Sequence, residues 1–196
     1  MNRCEWCLDG GVLQAYHDEE WGNLVHDDKK HFEYLLLEAM QCGLNWTMML
    51  KKRGIFKEQF DNFDYELITK YDEVKVENIM NAEGMIKSRR KIEAIINNAK
   101  CFMKVIQEFG SFDNYIWSFS NYHTLIYVKH QKGYGEVRNE LSDSLSYDMK
   151  KRGFKYLGSI TLFSHLQACG IINDHACNCY KYQTILKKGK IKYIYE

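Results

Sequence analysis

Cysteine and histidine, the side chains best suited to hold a transition metal, concentrate at the two ends of this 196-residue chain. Cys4, Cys7 and His17 lie near the start, and His175, Cys177 and Cys179 near the finish. Four such donors around one zinc ion would tie the ends together, and a site closed by four protein ligands has no open position for water, so its role would be structural. Spacing alone does not choose four ligands from these six. Aromatic side chains gather beside the first donors: Trp6, Tyr16, Trp21 and Trp46 all fall in the first quarter of the chain. Such rings can wall a base-sized pocket, stacking on a flat base and adding a cation–π attraction if the base is charged. Glu38 follows in the same region, but by helical position it falls roughly opposite Phe32 and Leu36, where a glutamate is normally solvated.

A third constellation is basic. The spacing predicts a helix over 74–81, a tight turn at Glu83, Gly84, Met85 and Ile86, and a second helix from Ser88 onward, a helix-hairpin-helix arrangement. Arg89, Arg90 and Lys91 follow the Ser88 cap in the first turn, where the positive end of the helix dipole disfavours cations. An anion docked there reverses the sign. Backbone N–H groups from Gly84 to Ser88 together with these cations would seat a phosphate and grip a nucleic-acid backbone without reading its sequence. The alternative is a solvated basic face. On this reading, replacing Arg89 and Lys91 leaves stability unchanged or slightly higher. Lys51, Lys52 and Arg53, and Lys150, Lys151 and Arg152, form two further basic clusters.

The elements that must position these groups are helical. Ile92, Ile95, Ile96, Ala99, Phe102, Met103 and Ile106 follow the three-and-four spacing of one helix face over 91–107. Asp27 and Asp28 can cap a second helix with a stripe of Phe32, Leu35, Leu36, Ala39 and Met40, ending near Gly43. Further helices are expected over 154–169, closed by Gly170, and over 137–149, with shorter ones over 55–60, 65–71 and 112–119. Strand signals are confined to 124–128 and 191–195 and show no βαβ rhythm, so the expected class is all-α. One domain of two packed helical lobes over 1–180 is expected, with a basic tail over 181–196 whose segment from Lys187 to Lys192 reads as a loose end.

Composition narrows the class. Hydrophobic residues at 45% and charged residues at 27% are globular proportions that exclude a disordered or collagen-like chain. Seven cysteines without a signal-peptide pattern, and no apolar run near the ~20 residues that span a bilayer, predict reduced thiols or metal ligands in a cytoplasmic protein. A net charge of +1 leaves any anion binding to the local clusters. Proline is absent, which reads as genome-composition bias.

In order along the chain, Cys4-Glu5-Trp6, Tyr16-His17-Asp18-Glu19-Glu20-Trp21-Gly22, Glu38 with Gly43-Leu44-Asn45-Trp46, Lys51-Lys52-Arg53, and Gly84 through Ile92 carry one pattern. It continues through Trp117-Ser118-Phe119, Lys150-Lys151-Arg152-Gly153-Phe154, and Gln167-Ala168-Cys169-Gly170 with Asn173-Asp174-His175. Together these segments resemble the DNA-3-methyladenine glycosylase I family, the constitutive bacterial enzymes that remove 3-methyladenine from alkylated DNA. The resemblance covers about 4–180. It implies a helix-hairpin-helix glycosylase fold with one structural zinc held by Cys4, His17, His175 and Cys179. Cys7 and Cys177 are left as extras, with a swap of Cys177 for Cys179 the simplest variation. It implies a base pocket of Tyr16, Trp46 and Glu38 with Trp6 and Trp21 nearby, and it gives Glu38 the catalytic role. Leu44 falls where a side chain fills the gap left by an extruded nucleotide, and DNA contacts fall on Gly84, Ile86, Ser88, Arg89 and Lys91. Asn45 stands where serine is more usual, and the stretch over 121–132 lacks the family's proline; both changes concern the rim of the pocket.

The implied reaction suits a modest site. Methylation at N3 places a positive charge on adenine, so the glycosidic bond is weakened and the base departs neutral. The damaged nucleotide is flipped into the pocket, where aromatic faces hold it and the Glu38 carboxylate accepts from its exocyclic amine; water then takes the base's place at the sugar. Neither Asp18 nor Asp174 is assigned a catalytic role, and with no lysine in the mapped pocket a monofunctional glycosylase is expected, acting as a monomer on double-stranded alkylated DNA and releasing free 3-methyladenine. A zinc-clipped DNA-binding module without catalysis needs neither Glu38 nor Trp46. A small-molecule metalloenzyme needs an open zinc position that four protein ligands deny.

Overall fold

The computed structural model describes residues 1–41, 43–130 and 135–195. Among these, ten α-helices run as α1 (Gly11–Glu19), α2 (Asp28–Gln41), α3 (Trp46–Gln59), α4 (Tyr65–Ile68), α5 (Glu73–Asn81), α6 (Arg89–Phe109), α7 (Phe112–Ser118), α8 (Glu140–Lys151), α9 (Ser159–Ala168) and α10 (Tyr180–Lys188). Two short strands, β1 (Thr124–Tyr127) and β2 (Ile191–Ile194), complete the described chain. No helix among the described residues is long and apolar enough to cross a membrane.

Helix α2 is the centre of the molecule, packed against α3, α6, α7 and α9. The expected stripe of Phe32, Leu35, Leu36, Ala39 and Met40 is buried, but so are Tyr34, Leu37 and Glu38 on its other sides. A helix surrounded by others buries every face, and for that reason Glu38 is not the solvated glutamate its helical position suggests. The two aspartates before α2 divide their work. Asp27 accepts from the Lys30 amide at 2.7 Å and caps α2 itself, whereas Asp28 accepts from the amides of Phe112 and Asp113 at 3.1 and 2.8 Å and so caps α7. Helix α6 buries Ile92, Ile95, Ile96, Ala99, Phe102 and Val105 along one face, and its Phe102 ring stacks on Phe112 at 4.2 Å.

The protein is mostly helical, with a two-stranded parallel pair that an all-α class omits. The strands pair from Thr124 with Ile191 through Tyr127 with Ile194. The segment from Lys187 to Lys192 is therefore no loose end: its first residues finish α10 and its last ones enter β2. Helix α4 stops at Ile68 rather than 71, and three helices start well away from their expected positions for local reasons. Helix α3 begins at Trp46 rather than 55, started by Asn45, whose side chain accepts from the Met48 amide at 2.8 Å. The run of Lys51, Lys52, Arg53 and Gly54 hides its apolar face in the sequence. Helix α8 begins at Glu140 behind a reciprocal Asn139–Ser142 capping box, not at 137. Helix α9 begins at Ser159, because Tyr156 takes a left-handed φ of 59° that no helix accommodates, while Phe154 and Leu157 are buried from the preceding loop.

Candidate active site and metal cluster

The chain's two ends meet at Cys4, His17, His175 and Cys179, all buried, with one donor atom from each lying within 4.8 Å of the others. Cys4 Sγ is 3.5 Å from His175 Nδ1, and Cys179 Sγ is 3.4 Å from His17 Nε2 and 3.8 Å from His175 Nδ1. The outward nitrogens are held as well. His17 Nδ1 lies 2.9 Å from Asp18 Oδ1, itself held by Arg3 and Tyr180, and His175 Nε2 lies 3.1 Å from the Trp21 carbonyl. A proton kept on the outward nitrogen leaves the inward lone pair for a metal, the arrangement of histidine ligands backed by a second partner. Burial and the neighbouring His17 ring push the His175 pKa down to about 3, so the ring stays neutral as a ligand must. Burial pushes the Cys4 thiol up to about 12, an ionisation that a bound cation would reverse. Two thiols and two imidazoles around one point fit a tetrahedral zinc. Gly22 is required beside them, because its φ is +78° and a Cβ would come within 2.5 Å of His175 Nε2. Cys7 is buried but turned away, its Sγ donating to the Cys4 carbonyl at 3.0 Å, and Cys177 is exposed.

A cavity of about 530 Å³ opens next to this cluster, lined by Trp6, Tyr16, Trp21, Glu38 and Trp46 among others. The two regions share a wall. Trp21 meets His175 edge-on at 4.5 Å and Trp6 at 5.0 Å, while Tyr16 and Trp46 lie at 5.6 Å with their planes tilted by 58°. Helix α1 thus carries Tyr16 toward the cavity and His17 toward the cluster, neighbours pointing different ways from one turn. Glu38, only 4% exposed, is pushed up to a pKa of about 8 by burial alone. The Tyr16 hydroxyl is buried with no hydrogen-bond partner among the described residues. A desolvated carboxyl and an unpartnered hydroxyl facing a ring-walled space await a polar, flat guest.

The sequence-based reading missed several lining residues, among them Gln41, Thr47, His130 and Ser164. Asp174 also faces the cavity, held by His130 Nδ1 at 2.9 Å and by Gln167 Nε2 at 2.6 Å. Gln167 and Asp174 sit in segments that carry the family resemblance, which was the available signal. Asp18, by contrast, faces the Cys/His cluster, 2.9 Å from His17 Nδ1. Leu44 is half-buried in the turn between lining residues Gln41 and Trp46, its amide donating to the Gln41 carbonyl at 2.6 Å. Residues 131 and 132, the end of the proline-free stretch, lie outside the described residues.

Helices α5 and α6 are joined by a short turn in which Gly84 takes a φ of +79°. Ser88 stands at the N-cap of α6 without a side-chain capping bond, and Met85 is buried beneath the turn beside half-buried Ile86. Two of the three cations here are engaged. Arg89 pairs with Glu73 at 2.6 Å and with Glu77, and Lys91 Nζ donates to the Met40 carbonyl at 2.7 Å. Lys52 Nζ reaches the Gly84 carbonyl, linking α3 to the turn.

A helical scaffold with an aromatic cavity, a buried acid and a turn presenting helix N-terminal amides defines a protein built to enclose a flat base. A family model described as methyladenine glycosylase matches residues 6–182. The chain is 38% identical over 179 residues to DNA-3-methyladenine glycosylase 1 of Escherichia coli, covering 91% of this chain and 96% of that one. It is 35% identical over 177 residues to DNA-3-methyladenine glycosylase of Haemophilus influenzae, covering 90% and 96%. A crystal structure of a variant 3-methyladenine DNA glycosylase I in complex with 3-methyladenine superposes with a TM-score of 0.86 at 31% identity, covering 93% of this chain and 98% of that one. The chain belongs to the methyladenine glycosylase family.

Proposed function

We propose that this protein is a DNA-3-methyladenine glycosylase of base-excision repair, which hydrolyses the N-glycosidic bond of 3-methyladenine in alkylated double-stranded DNA and leaves an abasic site. The observation that carries the reading is Glu38, a desolvated carboxyl lining an aromatic cavity with no ion pair among the described residues to explain its burial. A cationic base entering the cavity supplies the missing charge, and Glu38 loses its proton and accepts from the exocyclic amine. Trp46 and Tyr16 hold the ring, with Trp6 and Trp21 closing the far wall. As water attacks the sugar carbon, the bonding electrons return to the base, which departs neutral, and the water's proton goes to solvent. The methylated base is already a good leaving group, so binding the flipped cation supplies most of the catalysis.

The DNA is held by the helix-hairpin-helix of α5 and α6. Amides of Gly84, Ile86 and Lys87 in the turn and the side chains of Arg89 and Lys91 approach phosphate, the Met85 and Ser88 amides donating instead to the Ala82 and Ile86 carbonyls, while Ile86 also supports the turn and Leu44 fills the vacated stack. Cys4, His17, His175 and Cys179 would hold a zinc ion, which would tie down the wall carrying Trp6 and Trp21 and add folding stability. The enzyme is monofunctional and forms no Schiff base with the sugar. Incubation with methylated duplex DNA followed by chromatography tests the proposal. Free 3-methyladenine and an uncut strand carrying abasic sites are expected; release of no base overturns it.

A further inference from the structure

A second buried donor cluster lies apart from the cavity and from the end cluster. One ring nitrogen each of His31 and His165 and the thiol of Cys169 lie within 4.8 Å of one another, all three residues fully buried. Cys169 follows His165 by four positions at the end of α9, on one face of that helix, and His31 comes from the first turns of α2. The two imidazoles meet at 5.7 Å between centroids. For a purely packed core the arrangement is costly: among the described residues, His31 Nδ1 and both nitrogens of His165 are buried without a hydrogen-bond partner. His31 Nε2 lies 3.2 Å from Asp113 Oδ1, so a proton held there leaves the Nδ1 lone pair vacant.

We propose that His31, His165 and Cys169 form a second binding site for a divalent d-block cation, zinc being the commonest such ion for two imidazoles and a thiolate. The charges balance. A divalent cation, the Cys169 thiolate formed by loss of its proton to solvent, and the partly exposed Asp113 carboxylate beside His31 sum to zero, whereas a monovalent ion leaves a net negative charge. The C-terminal end of α9 adds a favourable dipole, since Cys169 is its C-cap residue and its amide donates to the His165 carbonyl at 3.0 Å. Asp113 stands behind His31 as Asp18 stands behind His17 at the end cluster. Coordination at ordinary zinc distances requires donor separations of up to 4.8 Å to close to about 3.3–3.6 Å.

The test is metal stoichiometry on the full chain, produced with added zinc, purified without chelators, and measured by native mass spectrometry. Two zinc ions per chain are expected in the wild type, and one in His165→Phe and in Cys169→Ala. Cys179→Ser should also keep one, the other one. Cobalt substitution gives an independent readout, because the two sites differ in thiolate number: His31→Leu should remove the weaker thiolate-to-cobalt charge-transfer band and leave the stronger. Circular dichroism identifies any variant that fails to fold, and the wild-type count stands without the variants. One metal per wild-type chain, lost in Cys179→Ser and kept in His165→Phe, overturns the proposal. One metal lost in His165→Phe and kept in Cys179→Ser supports it and overturns the end-cluster zinc instead.

Discussion

The end cluster and the base cavity share Trp21 and Trp6 as a wall, yet they are built on opposite rules. In the cluster every donor faces another donor, and each outward histidine nitrogen has a partner in Asp18 or the Trp21 carbonyl. In the cavity, Tyr16 keeps a buried hydroxyl without a partner among the described residues and Glu38 a carboxyl out of water. Saturated polar groups hold a fold together, whereas unsaturated ones store a preference that only a guest can satisfy. Perturbing the first should therefore cost stability, and perturbing the second should cost function while stability holds or improves.

The largest effect is expected at the cluster. Cys179→Ser, or removal of the metal by a strong chelator, should lower the melting temperature sharply, a loss of roughly 3–5 kcal/mol or more for a buried ligand set. Metal analysis with thermal melting checks this, and a chelated protein with an unchanged melting point would separate the cluster from stability altogether. Cys7→Ser provides the contrast, since its thiol only donates to the Cys4 carbonyl and its loss should leave metal content intact.

Glu38→Gln should reverse the pattern. The folded pKa of about 8 lies above the unfolded value near 4.5, so the folded protein binds the Glu38 proton more tightly. Its contribution to stability is full below about 4.5 and is lost as pH rises through about 8. The variant lacks this loss, and above pH 8 it should be more stable than the wild type by roughly 2–4 kcal/mol, read from denaturant midpoints across pH. Function moves the other way. Wild-type kcat/KM on alkylated DNA should rise with pH to a plateau above about 8 as the carboxylate forms, while the variant is slower by roughly 10- to 100-fold and lacks that rise.

The smallest effect is expected at the α5–α6 turn, where a third rule applies. Arg89 is balanced by Glu73 and Glu77 across the two helices, and Lys91 ties α6 to the end of α2. The expectation that removing both leaves stability unchanged or higher considered only the end of one helix. With these partners present, the double change to Gln should lower stability by roughly 0.5–1.5 kcal/mol. For every phosphate the variant no longer neutralises, the slope of log affinity against log salt should flatten by about 0.9 on duplex DNA, measured by anisotropy. An unchanged slope would move the DNA to Lys51 through Arg53 or to Lys150 through Arg152.

How far the sequence could be read follows the same division. The cluster was legible by residue type, because cysteine and histidine at both ends are conspicuous, but which four of six donors meet was not. That choice depends on where Cys7 and Cys177 turn. The aromatic walls of the pocket were legible by residue type, but Glu38 only through the family's motifs: periodicity puts it in solvent, whereas residues of α1, α3 and α9 close around it in the fold. His31, His165 and Cys169 went unread as a group because two helices distant in sequence bring them together. The pairing of β1 with β2 was equally long-range, although both strands were visible locally.

Calorimetry with free 3-methyladenine tests most directly whether the unsatisfied cavity is what recognises the base. Glu38→Gln and Trp46→Ala should each weaken binding by tenfold or more, while the double Gln variant of Arg89 and Lys91 should bind the free base as the wild type does. Wild-type affinity in both cavity variants, or an equal loss in the turn variant, would contradict the account.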